Sequence, residues 1–93
     1  MAATKFEQHE QDPSDILDYP WDFSDFLPTG DRIDSAVFKK DAEVTVLKTV
    51  FNDTMVVGWL SCPTIGSYTV TAHIVSVDGR EKDWSINLII KEQ

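Results

Sequence analysis

The chain has 93 residues, with sixteen acidic against eight basic side chains, a formal net charge of −8, and 42% hydrophobic residues. That is one domain's length, and the charge disfavours a sequence-independent nucleic-acid binder, because phosphate binding is driven by Lys and Arg releasing counterions. No apolar run approaches the ~20 residues of a membrane helix, the opening residues lack the apolar stretch of a secretory signal, and the single Cys62 excludes an internal disulfide framework or a thiolate zinc cluster.

The charge is concentrated at one end. Residues 1–34 hold nine acids against Lys5 and Arg32, a balance of −7, together with Phe6, Tyr19, Trp21, Phe23 and Phe26, half of the aromatics. Acidic disordered tails are poor in aromatics, so disorder is expected only over residues 1–11, read as a flexible tail. Leu17, Tyr19, Trp21 and Phe23 then alternate with Asp18, Pro20, Asp22 and Ser24. Period 2 predicts a strand with one buried face. A helical reading would place Pro20 mid-helix at a cost of ~3 kcal/mol. Because proline donates no ladder hydrogen bond, residues 12–31 are expected to be an edge strand or an extended arm. Single helical turns are expected over 13–16 and 24–27, and Pro28-Thr29-Gly30-Asp31 reads as a turn.

Residues 33–38, 43–51 and 54–60 are rich in Val, Thr and aromatics and predict strands. Gly58 inside the third marks a bulge or a close backbone approach. After a loop at Ser61-Cys62-Pro63-Thr64-Ile65-Gly66, residues 67–76 and 80–91 form a hairpin around Asp78-Gly79. A two-residue loop would set His73 against Trp84 and put the two apolar sets on opposite faces. A three-residue loop, Val77-Asp78-Gly79, pairs Ala72 with Trp84 and Val70 with Ile86. It also brings Gly79 to the position where a left-handed residue is needed. The three-residue loop is therefore predicted.

Six or seven short strands without helices predict an all-β fold, a small antiparallel sandwich over residues 32–93. Gly66-Ser67-Tyr68-Thr69-Val70 resembles the start of the penultimate strand of an Ig-like domain, where the tyrosine hydroxyl closes a corner. Tyr68, Gly79, Trp59 and Trp84 are assigned structural roles, the two tryptophans as core.

Candidate chemistry is sparse. Cys62 would need His9 or His73 as a base, with His9 in the tail and His73 directed outward, so no nucleophilic site is expected. The aspartates lack calcium-loop spacing. No catalytic residue, cofactor or metal is assigned, and the chain is not expected to be an enzyme. In the acidic third, Leu17, Tyr19, Trp21, Phe23, Phe26 and Leu27 carry more apolar surface than so small a sandwich needs. They are read as partner-binding residues of an arm that adds a strand to, or fills a groove in, a neighbouring subunit. The same residues could equally form the first strand of the sandwich and cover its own core. On the arm reading, deletion of residues 1–27 abolishes assembly and leaves a β fold.

Asp12-Pro13, Leu17-Asp18-Tyr19, Asp22-Phe23-Ser24-Asp25-Phe26-Leu27 and Gly30-Asp31-Arg32-Ile33 resemble the opening of small tailed-phage virion proteins of the fibre–tail adaptor family. Trp59-Leu60-Ser61, Gly66-Ser67-Tyr68-Thr69-Val70-Thr71 and Asp78-Gly79-Arg80 follow the same family's second half in order, so the resemblance spans residues 12–91. Phe23 and Phe26 stand where the family pattern has Trp, and Cys62-Pro63 where it has a glycine pair. The resemblance implies an Ig-like β domain and a non-enzymatic structural protein of the phage tail or neck. It would join tail or baseplate components to fibres, be repeated as a symmetric ring or other homo-oligomer through head-to-tail contacts, and be assembled in the host cytoplasm. Neither nucleic acid nor membrane is an implied partner. Two other classes remain open: an Ig-like receptor- or carbohydrate-binding module of a phage fibre, and an acidic DNA-mimic inhibitor.

Overall fold

The computed structural model describes residues 7–92, and within them every regular element is a strand: β1 (Glu7–Gln11), β2 (Ile16–Asp22), β3 (Ile33–Lys40), β4 (Thr45–Phe51), β5 (Met55–Ser61), β6 (Gly66–Ser76) and β7 (Glu81–Ile90). They form two sheets, a four-stranded one in the order β1-β7-β6-β3 and a three-stranded one in the order β2-β5-β4. All pairings are antiparallel except β1 with β7, which is parallel and makes the larger sheet mixed. This corrects the purely antiparallel expectation, and β1 corrects the flexible tail for residues 7–11. Residues 1–6 of that tail lie outside the described residues. β1 is held by pairing with Ile86 to Ile90, by a hydrogen bond from Lys91 N to Gln11 O, and by Lys91 Nζ at 3.1 Å from Glu10.

The hairpin has the three-residue loop. Ala72 pairs with Trp84, Val70 with Ile86 and Tyr68 with Leu88. Ser76 N donates to Arg80 O at 2.7 Å, and Gly79 N donates back to Ser76 O. Gly79 has φ of 92°, a left-handed conformation that glycine adopts without a Cβ clash. The register therefore sends Val70, Ala72, Ile74, Ile86, Leu88 and Ile90 to one face, and all six are buried.

The facing layer comes from the acidic third. In β2 the alternation holds: Tyr19 and Trp21 point inward while Asp18, Pro20 and Asp22 point to solvent. β2 lies at an edge of its sheet, where the missing N–H of Pro20 is tolerated. Phe23 continues the chain into the core, its N–H bonded to Thr54 O. Residues 24–27 make a single hydrogen-bonded turn, with the Leu27 amide donating to Phe23 O. Gly58 is a close backbone approach: a Cβ there would lie 2.8 Å from Cζ of Phe38, whose ring meets Trp21 edge-on at 4.9 Å.

Two polar clusters brace the sandwich, one between its layers and one within the four-stranded sheet. Gln11 is buried, accepts the Tyr19 hydroxyl proton at 2.6 Å, and donates from Nε2 to Asp15 O and Leu60 O. It links β1 of one sheet to β2 and β5 of the other. Burial pushes the Tyr19 phenol pKa upward, with the charges of Asp15 and Asp18 adding to it. At the opposite end of the molecule, Asp31 joins the turn before β3 to the β6–β7 loop, accepting from Arg32 N, Asp78 N and Arg80 Nη1.

A candidate docking face on the three-stranded sheet

The six arm residues are not brought together on one exposed surface. Tyr19, Trp21, Phe23 and Leu27 are buried in the chain's own core, Trp21 and Phe23 to 1% exposure. For Tyr19 and Trp21 the physical reason is parity, since alternation in β2 directs them to the face that the larger sheet covers, while Phe23 and Leu27 enter the core from the turn that follows. Phe23 packs edge-to-face on Trp84 with centroids 5.6 Å apart. Leu17 is exposed, and Phe26 is half-buried with Lys82 Nζ 5.6 Å over its ring. Of the arm, then, only Leu17 and part of Phe26 face solvent.

The residues given structural roles divide. Gly79 shapes the hairpin loop, and the Tyr68 hydroxyl donates to Thr64 O at 3.0 Å, closing the loop before β6. Trp84 packs partly buried against the core. Trp59 does not. It lies on the outer face of the smaller sheet, because Val56, Gly58 and Leu60 take the inward positions of β5. Cys62 is buried after β5 and donates weakly to Thr64 O, whereas His73 lies on the outside of the other sheet between Asp83 and Glu81. His9 stacks against Tyr19 at 4.9 Å. Among the described residues, no group of three metal-ligating side chains converges.

The two outer faces differ in chemistry. Outside the four-stranded sheet lie Ser67, Thr71, His73, Asp83, Ser85 and Asn87, hydrogen-bonded across the strands: Thr71 to Ser85 at 2.6 Å, Ser67 to Asn87 at 3.0 Å and His73 to Asp83. The polar groups of this face satisfy one another, with Val37 exposed beside them opposite His73. Outside the three-stranded sheet, the register sets Pro20, Val57 and Val50 side by side, and next to them Asp18, Trp59 and Lys48. Lys48 Nζ stands 5.0 Å over the Trp59 ring, leaving its charge at the rim of an apolar patch. Ile16 extends the patch at 57% exposure. Aromatic and β-branched side chains with a charged rim are the composition of a protein-binding surface.

β4 is rich in apolar residues, yet only Val46 is even half-buried. Apolar content alone does not distinguish a covered strand from a projecting one. Nothing in the sequence marked Gln11, and although Asp31 and Arg80 lie in motifs singled out above, their contact was not foreseen, because both depend on segments distant along the chain.

A family model described as podophage GP4 fiber-tail adaptor protein gp77 matches residues 11–89, from the last residue of β1 to the penultimate residue of β7. The chain belongs to this family. Membership in the fibre–tail adaptor family gives it a structural adaptor role among phage tail and fibre proteins, at the virion tail. Among solved structures, a cysteine protease inhibitor from Entamoeba histolytica is similar in fold, with a TM-score of 0.60 and 10% identity over 90% of this chain and 85% of that one. At that identity the likeness concerns fold alone. No curated protein matches the chain.

Proposed function

We propose that this fibre–tail adaptor is a non-enzymatic structural protein of the virion that docks on a tail or baseplate component through the outer face of its three-stranded sheet. The family match over residues 11–89 carries the adaptor role. The location rests on the contrast between the self-satisfied polar face and the apolar patch of Pro20, Val50, Val57 and Trp59. We further read the sandwich as Ig-like, on the Tyr68 hydroxyl bond to Thr64 O, and the protein as present in several copies about the tail axis.

Mass spectrometry of purified particles, with copy number from densitometry, tests the role. Val57→Lys and Trp59→Ala test the face. Both residues lie outside the core, so the purified variants should melt near the wild-type temperature but be depleted from particles. Normal incorporation of both variants would place the docking surface elsewhere, and absence of the protein from particles would remove the adaptor role.

A further inference from the structure

The sandwich has four edge strands, β1, β3, β2 and β4, and three of them are defended against pairing with another chain. β1 carries Glu10, β2 carries Asp18, Pro20 and Asp22, and β3 carries Asp34 with a bulge beside it. Charge, proline and bulges are the usual means of blunting an edge. β4 has no acid and no proline. Its one charge is Lys48, its bulge sits near its start at Leu47, and Lys48 to Phe51 pair regularly with β5. Apolar side chains project on both sides of it: Leu47 is 53%, Val50 42% and Phe51 45% exposed.

We propose that β4 is an interface between two copies of this chain, paired antiparallel about a two-fold axis at Thr49. Each copy carries a net charge of −8, so two copies repel wherever carboxylates face each other. β4 is the edge strand where they meet without an acid on either side. A two-fold perpendicular to the sheet keeps each residue on its own face, so the axis must pass beside a residue that faces its own counterpart. An axis at Lys48 would oppose two ammonium groups, which is destabilising. An axis at Leu47 would fall in the bulge, and one at Val50 would leave Leu47 unpaired. At Thr49 the hydroxyls face each other and Lys48 lies opposite Val50 of the second copy, with the bulged Leu47 at the end of the paired stretch near Phe51. The contact is isologous and closes on itself as a dimer. It differs in kind from the head-to-tail contact expected of a ring, and it does not depend on which virion protein the adaptor docks on.

Sedimentation of the purified full chain from low micromolar to millimolar concentration should show a monomer–dimer equilibrium. The dimer should strengthen with added salt, because screening relieves the general repulsion. Thr49→Lys should hold the protein monomeric with unchanged melting, since Thr49 is exposed. Thr49→Cys should form a covalent dimer on oxidation, because directly opposed residues stand ~4.5–5.5 Å apart at Cα, within disulfide reach. Val37→Cys on the β3 edge is the exposed control, and Cys62 is buried. A monomer at every concentration, dimers of Thr49→Lys equal to wild type, or cross-linking of Thr49→Cys no faster than of Val37→Cys would each overturn the proposal. A monomer whose Thr49→Lys variant is also lost from particles would give the edge to a strand of another protein. Dimers that dissociate as salt rises would point to a charged head-to-tail contact.

Discussion

Arg80 donates from Nη1 to Oδ2 of Asp31 at 2.9 Å, across 49 positions of sequence, while Oδ1 of the same carboxylate accepts from Asp78 N and Arg32 N. The Asp31 side chain is 1% exposed and that of Arg80 is 46%. The buried partner therefore has more to lose. Asp31→Ala leaves two backbone N–H groups and a guanidinium without their acceptor, whereas Arg80→Ala frees an end that water can reach. Thermal melting should fall clearly for Asp31→Ala and only slightly for Arg80→Ala. Equal losses would contradict this ranking.

Two carboxyl groups give the protein an acid dependence. Desolvation opposes ionisation of Asp31, but hydrogen bonds from Ser76, the Asp78 and Arg32 amides and Arg80 outweigh it and hold its pKa below the usual carboxylate range. For Asp83, the hydrogen bond from His73 is the largest cause of a lowered pKa, against desolvation and together with the Lys39 charge. In each case the folded state prefers the charged form. The contribution is complete above the ordinary Asp pKa of about 4 and is lost as pH falls through the lower folded value. Melting temperature against pH should drop below about pH 4. Asp83→Asn should lower the plateau and flatten part of that drop, and an unchanged acid limb in this variant would exclude Asp83 as a contributor.

Gly58→Ala should destabilise by about 1–3 kcal/mol, since the new methyl overlaps the Phe38 ring, itself packed on Trp21. Phe38→Leu removes the obstructing ring edge, so the double variant should lose less than the sum of the two single losses in denaturant unfolding. Additive losses would mean that Phe38 is not what makes glycine necessary.

Gln11→Leu should cost about 2 kcal/mol, the order expected when a buried hydroxyl and carbonyl groups lose their partners. Chemical denaturation with an unchanged slope would check it. Phe replacement at Tyr19 in the Gln11→Leu background should recover part of the loss, because it removes the stranded hydroxyl.

Deletion of residues 1–27 should abolish folding rather than assembly alone. It removes Tyr19, Trp21, Phe23 and Leu27 from the core, and loss of one buried aromatic such as Trp21 already costs about 3–5 kcal/mol. This reverses the outcome expected if those residues formed a separable arm. A truncated chain with intact β-sheet circular dichroism and cooperative melting would restore the arm.

The β6–β7 hairpin was legible to the residue, because period 2 on both arms and one glycine allow a single loop length that keeps both apolar sets together. The inward alternation of β2 was legible for the same reason. What periodicity could not say is which protein that face would cover, so residues that close their own core looked like a docking arm. β1 was missed because Glu7-Gln8-His9-Glu10-Gln11 has no apolar alternation. It is a strand through parallel pairing with the distant β7 and through the amide of Gln11, which finds its partners only after folding. The apolar outer face around Trp59 escaped because a strand rich in Val and Trp reads alike whether a second sheet or solvent lies over it.

The parallel pairing of Glu7–Gln11 with Ile86 to Ile90 also bears on how the molecule is made. The earliest described strand finds its sheet neighbour only once the last strand has been synthesised. Gln11, which bridges the two layers, settles into place only when that neighbour arrives. A nascent chain lacking β7 leaves β1 without a strand to pair with, and the four-stranded sheet is completed late, through contacts between segments far apart in sequence. Such topology slows folding for a chain of this size. It also makes the arrival of β7, rather than emergence of the first strands, the step that commits each copy to its final form.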